Sequence, residues 1–203
     1  MENTVNIAIL TSGKSRGSNF ESIARYIKKK KLPISIKFVV VSREDAPLIE
    51  RAKALDVPWI VLPDKKHFES QLLALLQQHN IQLIALAGFM RKLSLSLLNQ
   101  FKGKIINIHP ALLPKYGGKG MYGMRVHKAV FDNGERESGV TVHFVNEEYD
   151  AGKIIYQKKI PISNLKSPEE IAEAVLKVEH EVYPKVIEKL ALKYTNSKEI
   201  TIN

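Results

Sequence analysis

The sequence contains no cysteine among its 203 residues, which excludes disulfides and thiolate metal ligands and is compatible with a reducing cytoplasm. Long apolar runs are missing too, so no segment is expected to cross a bilayer. The opening MENTVNIAIL lacks the basic, then apolar, then small-residue order of a secretion signal. Repeats, low-complexity tracts and linkers are absent. The expectation is one cytoplasmic domain over residues 1–203, with 192–203 as a loosely ordered tail. His67, His79, His127 and His180 have no ligand-like spacing, and no metal is expected.

Acidic residues are the minority, 21 against 31 Lys and Arg, for a formal charge of +10. That balance favours anionic partners such as phosphates, carboxylates or nucleic acid. The densest basic run, Lys28 to Lys31, ends a helix, where lysines complement the dipole and stay solvated. Aromatic residues do not interleave with it as stacking platforms for bases. Neither nucleic acid nor a membrane is therefore the expected partner.

What the chain does have is alternation, with 44% hydrophobic residues arranged as Val- and Ile-rich runs between amphipathic segments. This is the pattern of a parallel sheet covered by helices. VNIAILTSG reads as strand and SNFESIARYIKKKK as helix, with Phe20, Ile23, Ala24 and Ile27 on one face. Strand ISIKFVVVS, helix APLIERAKAL, strand WIVLP, helix HFESQLLALLQQH, strand IQLIALAGF, helix SLSLLNQF and strand KIINIHP follow. GVTVHFV and KIIYQKKIPI then meet across NEEYDAG without a helix, which makes a hairpin and a mixed sheet. A long helix, SPEEIAEAVLKVEHEVYPKVIEKLAL, closes the chain, with Ser167 and Pro168 in N-cap and first-turn positions. Pro184 is expected to kink or divide it.

Three places carry candidate chemistry. TSGKSRGSNFES joins the first strand to the first helix. Ser18 and Glu21 form a capping-box pattern, and free N–H groups with Lys14 and Arg16 nearby would suit a phosphate. The spacing matches neither G-x-G-x-x-G nor a P-loop, so a plain structural turn is the alternative. In KIINIHP, alternation puts Ile105, Asn107 and His109 on one face and Ile106 and Ile108 on the other. Asn107 and His109 are either hydrogen-bonded core groups or a site, and their place at a strand's carboxyl end favours the site. Asp150 in YDAG either bonds its own turn or, if the hairpin folds back, holds His109 and raises the pKa of its imidazole. His143 shares a face with Thr141 and is either a pocket-lining residue or a satisfied core histidine.

Together these stretches resemble the glycinamide ribonucleotide formyltransferase family: SG…GSNFES, ALAGFMRKLS, NIHPALLPKY, SGVTVHFV, DAGKII and EHEVYP appear in the family's order. The resemblance implies a three-layer, Rossmann-like formyltransferase fold with a mixed, mostly parallel seven-stranded sheet. It implies transfer of a formyl group from 10-formyltetrahydrofolate, as co-substrate, to the amine of glycinamide ribonucleotide in purine biosynthesis. Asn107, His109 and Asp150 match the family's catalytic trio. Gly17, Ser18 and Asn19 match its phosphate-binding turn, and Glu179 a further ribonucleotide contact. Met90, Arg91, Lys92 and Leu93, with Asn107, match the folate pocket, and Lys65 stands where the family commonly has a folate-contacting arginine.

The chain departs from the family pattern in a longer first loop and in GGKGMYGMRVHKAV, whose glycines at 117, 118, 120 and 123 have the composition of a closing lid. Formyltetrahydrofolate hydrolase and methionyl-tRNA formyltransferase are the nearest rivals. Both add a further domain for which this chain has no room, so the free ribonucleotide is the expected acceptor, in a monomer or homodimer. A basic nucleic-acid-binding module and a non-catalytic ligand-binding domain are the rivals from other classes.

Overall fold

The computed structural model describes residues 4–12, 16–63 and 66–196. Lys14, Lys65 and the tail from 197 onward, each singled out by the sequence, lie outside them. The chain forms two compact units, residues 1–91 with 184–203, and residues 92–183.

In the first unit, β1 (Val5–Leu10), β2 (Ile34–Val41), β3 (Trp59–Val61) and β4 (Leu83–Leu86) all pair in parallel. Parallel neighbours need crossovers, and α1 (Ser18–Lys30), α2 (Leu48–Ala54) and α3 (Phe68–Gln78) supply them. Helices on both faces explain why Ile7, Ala8, Ile9, Leu83 and Ile84 are all fully buried although successive side chains point in opposite directions. The α1 helix buries Phe20, Ile23, Ala24 and Ile27, the face expected from the spacing.

Its start differs from the expected capping box. Ser18 is the first helical residue, and the cap is Gly17, at φ 76°, with no side-chain cap bond. Glu21 instead pairs with Arg25 at 2.8 Å and with Arg51. Charged partners thus take the carboxylate that the capping box required, and only glycine adopts the left-handed cap without strain.

The second unit holds α4 (Leu95–Gln100), β5 (Ile105–His109), α5 (Met124–Asp132), β6 (Glu137–Phe144), β7 (Ile154–Pro161) and the first half of α6 (Pro168–Asn196). Both β5–β6 and β6–β7 are antiparallel, so the expected hairpin forms. The strand order β3-β2-β1-β4-β5-β6-β7 makes the seven-stranded mixed α/β sheet expected from the sequence.

Three local expectations change. The α5 helix is an addition to the expected elements, because the four glycines just before it read as loop. Yet Val126, His127 and Val130 recur at helical spacing and form its buried face. Ser167 does cap α6, its Oγ accepting from the Glu170 N–H at 3.2 Å. The helix then runs through Pro184 undivided, and residues 192–196, expected in the tail, belong to it.

Candidate active site

Register assembles the site. In the antiparallel β5–β6 pair, Asn107 stands opposite His143 and His109 opposite Thr141, so all four side chains share one face. Buried Ile106 and Ile108 occupy the other face, and the buried Tyr183 hydroxyl donates to the Ile106 carbonyl at 3.2 Å. Asp150, in the β6–β7 connection, has φ 56°, a left-handed conformation that aspartate tolerates better than most residues.

That turn returns Asp150 to the polar pair. Its Oδ2 lies 3.5 Å from His109 Nδ1 and its Oδ1 lies 3.5 Å from His143 Nε2. The Gly118 N–H donates to Oδ2 at 3.0 Å. His109 Nε2 is 2.7 Å from the Tyr116 carbonyl, which places the proton of the neutral ring on Nε2. Tyr116 itself has φ 58°, an unusual backbone state for a bulky residue. Beneath the pair, the Thr141 hydroxyl donates to the Ala111 carbonyl at 2.7 Å and accepts from Leu113 N–H at 3.0 Å and Gln157 Nε2 at 2.9 Å. This knot pins the loop that carries Tyr116.

Both ring nitrogens of His109 therefore face acceptors, an arrangement that favours the imidazolium. Burial opposes it and is the larger effect. His109 is 3% exposed, and desolvation holds its pKa below 6.5 although Asp150 and the Tyr116 carbonyl push it up. The expected influence of Asp150 is present in direction, but the resting ring is neutral. For Asp150, burial raises the pKa, while His143, His109 and the Gly118 N–H lower it more, so the carboxylate stays ionised.

Several contributors to the site escape sequence reasoning. The Tyr116 carbonyl and Gly118 N–H are backbone groups without a residue-type signature. Buried His127 on α5 is pushed down to about 4 by desolvation and by neighbouring His109. Its signal is the helical spacing with Val126 and Val130.

The other candidates lie as follows. Gly17, Ser18 and Asn19 form the start of α1. Arg91 stacks its guanidinium 4.3 Å over the Phe68 ring, which in turn stacks on Phe89. Met90 and Lys92 are exposed, Leu93 is buried, and Glu179 is buried on α6. No helix among the described residues is long and apolar enough to cross a membrane.

Comparison with known proteins identifies the family. The formyl transferase family profile matches residues 5–187. A phosphoribosylglycinamide formyltransferase of Bacillus subtilis is 39% identical over 188 residues, covering 90% of this chain and 93% of that one. A chloroplastic phosphoribosylglycinamide formyltransferase of Arabidopsis thaliana is 37% identical over 187 residues. That alignment covers 89% of this chain and spans 63% of the Arabidopsis relative's length. Among solved structures, glycinamide ribonucleotide transformylase 1 of Geobacillus kaustophilus superposes with a TM-score of 0.83 at 38% identity, covering 93% of this chain and 99% of that one. The motifs, the Rossmann-like fold and a match through both compact units agree, and the chain belongs to the formyl transferase family.

Proposed function

We propose that this chain is a phosphoribosylglycinamide formyltransferase, moving a formyl group from 10-formyltetrahydrofolate to the amine of glycinamide ribonucleotide in purine biosynthesis. The observation that carries the reading is the convergence of Asn107, His109 and Asp150 in a formyl transferase chain. The site residues are part of the proposal: Asn107, His109 and Asp150 for the chemistry; Gly17, Ser18, Asn19 and Glu179 for the ribonucleotide; Lys65, Met90, Arg91, Lys92 and Leu93 for the folate. A cytoplasmic setting belongs to it as well, although the Arabidopsis relative is chloroplastic.

The chemistry calls for these residue types. Attack of the amine on the formyl carbon makes a tetrahedral oxyanion, and a preplaced donor such as the Asn107 amide is worth about 3 to 4 kcal/mol in acyl-transfer sites. Substrate replaces the Tyr116 carbonyl at His109 Nε2, and the ring proton moves to Nδ1, facing Asp150. The bare Nε2 then takes the proton that the attacking amine sheds, directly or through one water. Asp150 stabilises the imidazolium so formed. Collapse breaks the bond from carbon to the folate nitrogen, and His109 returns the proton to that nitrogen. The products are formylated ribonucleotide and tetrahydrofolate.

The test mixes purified protein with 10-formyltetrahydrofolate and glycinamide ribonucleotide and follows release of tetrahydrofolate. Ribonucleotide-dependent turnover that collapses in His109→Ala is expected. Absence of that turnover, or equal turnover by the variant, overturns the reading.

A further inference from the structure

We infer that His143 is a positioning residue that sets which way the Asn107 amide faces. The inference rests on the functional reading above and adds a role that the trio alone lacks. Strand register places the two side chains directly opposite each other on one face. His143 Nδ1 lies 2.9 Å from the Phe144 carbonyl, an acceptor only, so Nδ1 carries the proton and the neutral ring leaves Nε2 bare. Two groups compete for that bare nitrogen: Asn107 Nδ2 at 3.3 Å and Asp150 Oδ1 at 3.5 Å.

Hydrogen-bond polarity decides between them. A bare nitrogen accepts an amide N–H and gains nothing from a carboxylate oxygen. A protonated one would donate to Asp150 and repel the amide N–H. In its neutral form the ring holds the nitrogen end of the Asn107 amide. With one N–H engaged there, the second is left for a developing oxyanion, and the amide oxygen is turned away from it. A freely flipping amide would offer that oxygen to the same negative charge, which is repulsive. The titratable groups around His143 are Asp150 from the β6–β7 connection and His109 from β5, with His127 of α5 beside His109.

The experiment compares the full chain with His143→Phe, His143→Gln, Asn107→Ala and the double variant His143→Phe with Asn107→Ala, using both substrates. Phenylalanine keeps a ring without an acceptor, whereas glutamine brings an amide oxygen near the position of Nε2. His143→Phe is expected to lower kcat about tenfold with KM for either substrate within about twofold, and His143→Gln to recover most of the loss. In the Asn107→Ala background the Phe substitution is expected to cost less than about twofold. Additive losses overturn the inference while leaving the proposed activity standing. Nitrogen-15 NMR of His143 reads the same point without turnover: a protonated Nδ1, a bare Nε2, and an Nε2 resonance that moves in Asn107→Ala are expected. A ring protonated on Nε2, or an Nε2 resonance indifferent to Asn107, overturns the inference whether or not the wild type turns over.

Discussion

His109 and Asp150, far apart in the chain, meet with Nδ1 and Oδ2 3.5 Å apart because the β6–β7 connection folds back over the end of β5. The contact is a charge held ready beside a ring that burial keeps neutral. Removing the carboxylate leaves only the Tyr116 carbonyl to oppose desolvation. In Asp150→Asn the His109 pKa is expected to fall further, and kcat to drop about a hundredfold or more. An NMR titration of the His109 ring, paired with the kcat profile against pH, checks both. An unmoved His109 titration would contradict the assigned coupling.

Stability should respond to pH through the buried histidines. Below 6.5 an unfolded histidine takes up a proton that folded His127, pushed down to about 4, refuses until lower pH. The unfolded chain binds more protons in that window, so folding loses stability as pH falls from 6.5 toward 4. His109 acts in the same direction. Asp150 belongs to a different window: its stabilisation is present above its ordinary 3.8 and is lost only as pH falls below that. Melting curves from about pH 7.5 to about pH 4.5 should show a fall that is smaller in His127→Leu. Parallel curves for the two proteins would remove His127 from the explanation.

Gly152 is required by space. A Cβ there would overlap the Phe144 carbonyl, a backbone group that cannot swing aside. That same carbonyl accepts from His143 Nδ1, and the turn also carries Asp150. Gly152→Ala is expected to cost more than about 2 kcal/mol in denaturant unfolding and to suppress turnover. Gly134→Ala, at φ 62° with open space around it, serves as the comparison. It should cost about 1 to 2 kcal/mol from backbone strain and leave kcat within about twofold.

Between α1 and the second half of α6, the Tyr26 hydroxyl donates to Glu188 Oε2 at 2.6 Å, and this bond, with desolvation, pushes the phenol up to about 12. The stabilisation is therefore fully present below pH 10 and is lost as pH rises through about 12. Tyr26→Phe should cost about 1 kcal/mol at neutral pH. Tyr116 and Tyr194 are raised as well, so ultraviolet titration is compared between proteins: the latest ionisation should move to lower pH in Glu188→Gln, and an unchanged curve would refute the pairing.

Much of the fold is legible in the order of residues. Apolar runs buried on two faces announce β1, β2 and β4, and the spacing of Phe20, Ile23, Ala24 and Ile27 announces α1. Asn107 and His109 stand out because strand alternation offers no apolar reason for them. Sequence and structure part where a local rule has a stronger competitor. Arg25 and Arg51 draw Glu21 from the expected cap, helical spacing prevails after the glycines before α5, and α6 continues past Pro184.

Residue order alone determined the period of each element, the face each one buries, and the family motifs, because these depend on neighbours a few positions apart. Only the tertiary structure decided that Asn107 faces His143, that Asp150 sits between two histidines, and that burial outweighs Asp150 in setting the His109 pKa. Those outcomes depend on strand register and on how much water the packed chain excludes. Both are properties of distant segments brought together, and no local stretch of sequence contains them.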